Sequence, residues 1–432
     1  MCIRDSYILF YGQSPDEWTY NDSEGYFSYQ RHLYSDEVFY FLTISSDSVA
    51  KRISYKPPQT SPSVTVNTYN DYRIHEIEQE NLIKSGRQWF GERIDIQNNI
   101  DFDFIFSELD LSSPINVKAE VVARSLTASS CLVTINNSSN NEINIPQVSP
   151  SFSAEYAKIA STNLNFLSDN STINVKLNYS SADNSSMAWL NYIRVNARSN
   201  LVMNNNIIFF RDALSVSPVV GKFEIENAEQ VSLWDITNPT NITQLYTNSI
   251  SVNTSFNDSL VSLREYVAFN TSSYSSPNFI GYISNQNLRS LGGDIEYVIV
   301  SHKDFLESAN RLANFHLTHN NLNTIVVDIE EIYHEFSSGM QDVTAVRDFA
   351  RMLYKRPNSK FKYLLLFGDG SYDPKNRIVN NTNYIPTFQS FNSTNPTSTY
   401  VTDDYYGLLD DNEGLFVNDL VDIGIGLSLI HI

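Results

Sequence analysis

Cysteine is scarce. The 432 residues hold two, Cys2 and Cys131. Two thiols cannot build a disulfide framework or a cysteine zinc site. Basic residues are also in the minority, with 29 Lys and Arg against 49 Asp and Glu and a net charge of −20. Non-specific binding to nucleic acid or to an anionic membrane face is therefore not expected. No run of about 18 apolar residues occurs, so no segment reads as a bilayer-spanning helix. The first residues do not read as a secretory leader. No internal repeat of solenoid period is found. Glycine is low at 15, whereas Tyr and Phe number 26 and 25. A chain rich in aromatics, Asn and Ser favours β-structure with polar loops. The apolar fraction of 41% is that of a globular protein, and the length allows two or three domains.

Most of the first 290 residues alternate with period two. Phe102, Phe104 and Phe106 alternate with Asp103 and Ile105. Val117, Ala119, Val121 and Ala123 alternate with Lys118 and Glu120. Ile173, Val175, Leu177 and Tyr179 alternate with Asn174, Lys176 and Asn178. Such alternation marks half-buried antiparallel strands, and their spacing predicts a β-sandwich. Cys131 shares a face with Val133 and Ile135 and reads as a small buried hydrophobe. SGRQWFGE (85–92) reads as a site where Arg87 stacks on Trp89 between strands.

The pattern changes near Tyr297. YVIVSH (297–302) and TIVVDI (324–329) are buried-strand candidates, and so is the run that opens FKYLLLFGDGSYDP (361–374). Between the first two, Phe305, Ala309, Leu312 and His316 share a helical face, with Ser301 and Asp304 at capping-box spacing. A second helix is predicted from Asp342 to about Arg356. Asp342 caps it, Val343, Val346, Ala350 and Leu353 form its stripe, and Pro357 ends it. This β-α-β-α-β order implies a parallel sheet, which binds ligands outside the carboxyl ends of its strands. Those ends carry Ser301 and His302, Asp328 and Glu330, and Gly368, Asp369 and Gly370.

GDGSYD lacks the third glycine of a dinucleotide fingerprint and is not a P-loop. It is not the G-x-S-x-G of a serine hydrolase either, so Ser371 is expected to bond its own backbone. A lone His302 at a strand end reads first as a structural hydrogen-bonder. VTDDYYGLLDDNEG (401–414) clusters Asp403, Asp404, Asp410, Asp411 and Glu413. These could hold calcium, which prefers six to eight oxygen ligands, but the spacing is not that of an EF-hand. The plainer reading is a solvated hairpin, with DDNEG as the turn between LL and LF.

Taken together, LLLFGDGSYDPKNR, YIPTFQS, TYVTDDYYGLLDDNEG and VDIGIG resemble the gingipain-like cysteine peptidases. YILFYGQSPDEW, HLYSDEVFYFLT, NLIKSGRQWFGE, AWLNYIRVNARSNL and YVIVSHKDFLESANRLANFH agree in the same order. The resemblance implies a caspase-like α/β peptidase domain using a histidine and a cysteine thiolate. It further implies a sortase-like member that removes C-terminal sorting domains from secreted cargo. Such a member works with other type IX secretion components at the outer-membrane surface. The family's catalytic His, in a Gly-His-Gly setting, and its Cys lie beyond the DIGIG strand. No catalytic residue is therefore assigned, and the chain as written is expected to be inactive. MCIRDS and LSLIHI read as foreign ends, so residues 1–6 and about 427–432 are not expected to be native. The expected layout is an N-terminal β region at 7–95, a β-sandwich at 96–215 and a β-rich connection at 216–293. The first half of the α/β domain follows at 294–432. A non-catalytic surface β-sandwich with an adhesive or glycan-binding role is the alternative.

Overall fold

The computed structural model describes residues 8–44, 51–94, 99–270, 273–414 and 419–428. Residues 1–6, expected to be foreign, lie outside it, as do Cys2 and the LF pair of the expected hairpin.

Period-two alternation builds the first sandwich. Thr172–Ser181 buries Ile173, Val175, Leu177 and Tyr179 and leaves the residues between them partly or fully exposed. It pairs antiparallel with Asn99–Ile105 and Ser129–Ile135, and Ser139–Ile145 completes that sheet. The opposing sheet runs Lys158–Phe166, Ile115–Arg124, Met187–Asn200, Thr68–His75, with Arg93–Ile94 also pairing onto Met187–Asn200. Inner side chains of both sheets, among them Val121, Val133, Val175 and Val195, share one core. Each such aliphatic side chain is stabilised by about 1.5–3 kcal/mol relative to exposure.

A second sandwich follows. One sheet runs Ile207–Arg211, Glu265–Phe269, Ser232–Asp235, Thr243–Leu245, Ser54–Lys56. The other runs Asn248–Ile250, Asn253–Ser259, Val220–Ile225, Val64–Val66. Its core is aromatic, with Phe223 and Phe256 stacked at 4.7 Å. The sheets cross the boundaries expected at 95/96 and 215/216. Thr68–His75 is an edge strand of the first sandwich, while Ser54–Lys56 and Val64–Val66 add in parallel to the two sheets of the second. Composition cannot reveal this, because an edge strand is recruited by a distant partner rather than by its neighbours in sequence. Lys56 locks its strand in place: its ammonium lies 2.7 Å from the buried Asp258 and 3.4 Å from Asp235.

The last unit is α/β. Its elements are β1 (Tyr297–Ser301), α1 (Leu306–His319), β2 (Thr324–Asp328), α2 (Ile329–Phe336), α3 (Val343–Tyr354), β3 (Tyr363–Phe367) and β4 (Gly424–Ser428). The strands are all parallel, in the order β2-β1-β3-β4. Helix α1 covers one face, its Ala309 and Ala313 lying on Ile299 and Phe367. Helices α2 and α3 cover the other, packing Ile332, Val346 and Phe349 against Val298, Val300 and Leu366. Coverage on both faces explains why these strands are continuously apolar rather than alternating.

Three local expectations are corrected. The turn before α1 is capped by His302, whose Nδ1 accepts from the Asp304 amide at 3.3 Å. Ser301 is buried, and its hydroxyl bonds the His302 carbonyl instead. Helix α2 was not foreseen, although Asp328 caps it by accepting from the Glu330 amide at 3.0 Å. The expected hairpin at 408–416 is not formed by Leu408 and Leu409, which are buried outside any strand; a short 3-10 turn, Asp404–Gly407, precedes them. Helix α3 agrees with its reading: Asp342 accepts from the Thr344 amide at 2.8 Å.

Candidate functional site: the carboxyl-end face of the parallel sheet

The chain leaves β1 to form β2 on one side, then returns to form β3 on the other. The topological switch point thus lies between the carboxyl ends of β1 and β3, where parallel sheets form ligand crevices. His302 stands at one lip, and Gly368, Asp369 and Gly370 form the other. Asp369 organises this lip. Its carbonyl accepts from the amides of Tyr384 (2.9 Å) and Ile385 (3.0 Å). Its carboxylate accepts from the Gly370 amide at 3.0 Å and the Thr382 hydroxyl at 2.9 Å. The segment after Thr382 is thereby drawn across the strand ends, and the Tyr384 ring settles 5.0 Å from His302 and 5.0 Å from Phe305. Gly370 permits the close approach: a Cβ there would lie 2.3 Å from Thr387 Cγ2. Ser371 Oγ accepts from the Asp373 amide at 3.1 Å, the backbone role expected of it.

The loop beyond Ser371 is held by the β-rich region. Tyr372 stacks on the buried Trp89 at 5.8 Å, and the Arg377 guanidinium lies 4.4 Å from the Trp89 ring. The cation on Trp89 is therefore Arg377, not Arg87. Arg87 sits over Phe391 instead, because its backbone is pinned to the Ser390 carbonyl at 3.0 Å. Gly86 makes this docking possible. It has φ +78, and a Cβ would lie 2.0 Å from the Asn392 carbonyl oxygen. An arm from the start of the chain completes the contact: Tyr34 is part of the α/β core, and the Tyr34 carbonyl accepts from Gln341 at 3.2 Å.

Asp403, Asp404, Asp410, Asp411 and Glu413, the carboxylates read as calcium ligands, are not all brought to one point. Asp411 is engaged by Arg351 at 2.6 Å and by Lys355. Asp403 and Asp404 lie at the start of the 3-10 turn, where burial and then the Asp404 charge raise the Asp403 carboxyl above its ordinary range. Among the described residues, the acidic group that converges is Asp410, Glu413 and Asp422, with one ligand atom from each within 4.8 Å. These could hold a cation, but they already serve the loop. Asp422 accepts from the Leu409 amide at 2.9 Å and the Tyr354 hydroxyl at 3.2 Å.

Cys131 lies in the first sandwich's core, and burial pushes its thiol up to about 12. It has neither the exposure nor the electropositive setting of a reactive thiolate.

Comparison with known proteins adds to this geometry. Residues 290–426 match the family model of Peptidase family C25. The α/β unit is a gingipain-like domain.

The whole chain also follows a solved structure, that of a dimeric latent form of PorU from Porphyromonas gingivalis. The TM-score is 0.80 at 22% identity, covering 97% of this chain and 41% of that one. The β-rich region and the gingipain-like domain therefore share the PorU fold, and the chain spans about two fifths of the length of the PorU chain. Two carbohydrate-binding modules match at a TM-score of only 0.19: a module of a xylanase from the Trinervitermes trinervoides hindgut metagenome, and a module solved with calcium and xylotriose. They share 9% and 12% identity, and cover 29% and 28% of this chain and 96% and 97% of their own. That score carries no information about ligands. No curated protein matches in sequence.

Sequence reasoning found the lips of the gingipain-like domain's crevice but missed what crosses and clamps them. The signal available was limited to YIPTFQS, which the family resemblance singled out without assigning it a place.

Proposed function

We propose that this chain is the scaffold of a PorU-like cysteine endopeptidase that removes C-terminal sorting domains from secreted cargo. One observation carries the reading: a gingipain-like sheet with an organised switch point, set on a β-rich region that follows PorU over nearly its whole length. In this reading the partners are cargo sorting domains and other type IX secretion components, and the site of action is the cell surface. Among the described residues, no helix is long and apolar enough to cross a membrane.

The chemistry requires a thiolate activated by an imidazole, attacking a peptide carbonyl. His302 is committed to capping, and Cys131 is sealed in a different domain. In this reading neither His302 nor Cys131, both among the described residues, takes the part of that pair. What these residues contribute is a fixed crevice wall, which orients substrate before attack.

The test uses protein made from the complete reading frame and a cargo that carries its sorting domain. Release of that domain, blocked by thiol alkylation, is the expected result. An intact cargo, or cleavage indifferent to alkylation, would overturn the proposal.

A further inference from the structure

The arm at 31–44 joins no helix or strand, yet it crosses the gingipain-like domain from the loop after β3 to α2. Three side chains anchor it there. The Tyr34 ring is buried in the core of the domain. Asp36 receives the Lys375 ammonium at 2.7 Å. The Phe41 ring meets His334 of α2 edge-on at 5.5 Å, and beyond it Leu42 and Ile44 stand in solvent.

The first two anchors reach consecutive residues of the crevice loop. Gln341, just before α3, makes the first link. Its Nε2 donates to the Tyr34 carbonyl at 3.2 Å and to the Pro374 carbonyl at 2.7 Å. Its Oε1 accepts from Asn383 Nδ2 at 3.2 Å, and Asn383 also donates to the Pro374 carbonyl at 3.3 Å. One side chain thus ties the arm to both limbs of the loop. Asn383 leads directly into Tyr384 and Ile385, whose amides the Asp369 carbonyl holds across the strand ends. Lys375 makes the second link. Its side chain is 3% exposed, and its ammonium is shared between Asp36 and Glu78, the latter at 3.4 Å. An ammonium enclosed this deeply depends on its carboxylates, because a buried charge left unpaired is strongly destabilising.

We propose that the arm is a strap that sets the crevice. Seated, it fixes Tyr384 beside His302 through Gln341 and Lys375. Lifted, it frees the segment from Pro374 to Ile385 and leaves the parallel sheet intact. Anchoring by side chains suits such a device, since the arm can leave without breaking a β-ladder. The docking at 86–88 is of the other kind: the Arg87 amide donates to the Ser390 carbonyl at 3.0 Å and the Gln88 amide to the Ser393 hydroxyl at 2.8 Å. The strap governs the shape of the crevice whatever reaction is carried out there, so it does not rest on the peptidase reading.

Hydrogen exchange of the 432-residue chain reads the strap at the Tyr384 and Ile385 amides. Gln341→Ala cuts the link and should lower their protection by about tenfold, with β1 and β3 unchanged. Tyr34→Ala unseats the arm and should lower the same two amides, whereas Tyr34→Phe, which keeps the ring, should not. Because both variants act through one route, the double variant should fall by less than the product of the two single effects. Unchanged protection in Gln341→Ala would overturn the strap. So would a Tyr34→Ala effect that stops at its own core neighbours, or a double variant equal to that product. If Tyr34→Ala loosens β1 and β3 as well, Asp36→Asn takes its place: it should lower protection at Tyr384 and Ile385 several-fold, and no change would again overturn the strap.

Discussion

Gly370→Ala is the sharpest perturbation of the crevice. The new methyl would meet Thr387 Cγ2 at 2.3 Å and the Ile385 carbonyl oxygen at 3.0 Å. The first distance is far inside van der Waals contact. The second belongs to backbone that is tied to Asp369 through the Ile385 amide at 3.0 Å and therefore cannot easily retreat. Overpacking of this kind costs about 1–3 kcal/mol. The cost should fall locally, on the segment crossing the strand ends. A multidomain chain need not unfold in two states, so hydrogen exchange at Tyr384 and Ile385 is a better assay than a single melting temperature. A loss of about 2 kcal/mol corresponds to roughly 30-fold lower protection. Thr387→Ser removes the offending methyl while keeping the hydroxyl that donates to the Ser371 carbonyl at 3.4 Å. The double variant Gly370→Ala with Thr387→Ser should recover at least about 1 kcal/mol of the loss. If Gly370→Ala leaves protection unchanged, or if the double variant recovers nothing, the close packing described for this corner is wrong.

Four further outcomes are expected. Cys131 in the native chain should resist iodoacetamide at about pH 8 and react only after unfolding, because its thiol is pushed up to about 12; intact mass before and after urea decides this. Asp342→Ala removes the α3 cap and should destabilise the gingipain-like domain by about 1 kcal/mol, read as faster exchange in the first turn of α3. Trp89→Ala empties the space between Tyr372 and Arg377 and should cost about 3–5 kcal/mol, with limited proteolysis newly cutting near 371–378. Asp411→Asn should leave the thermal melt almost unchanged despite its two cationic partners, because that carboxylate is largely exposed and its ion pairs are screened by solvent.

How legible the molecule was depends on the range of the interactions. Alternation at 173–179 and the unbroken apolar runs of β1 and β3 reflect burial by near neighbours, and both strand types could be read directly. Helix α3 announced itself through Asp342, its stripe and Pro357. Helix α2 did not, because eight residues give too little periodicity to separate it from the end of β2. Ser54–Lys56 and Val64–Val66 were illegible for a different reason: they exist as strands because partners 189 and 157 residues further along the chain accept them. The same holds at the site. His302 and Gly368–Gly370 could be placed from strand order alone. Arg377 on Trp89, Tyr34 in the α/β core and the convergence of Asp410, Glu413 and Asp422 are tertiary meetings that no local pattern encodes. In the acidic run at 401–414, Asp411 faces two helix cations, Arg351 and Lys355, and a carboxylate so engaged reads in sequence like a metal ligand.

The most direct measurement is to incubate the purified 432-residue chain itself with cargo bearing a sorting domain, with and without alkylating agent, and to analyse the products by mass spectrometry. A chain that supplies the crevice wall but not the attacking group leaves the cargo intact in both. Cleavage that disappears on alkylation would mean that the nucleophile is already present among these residues.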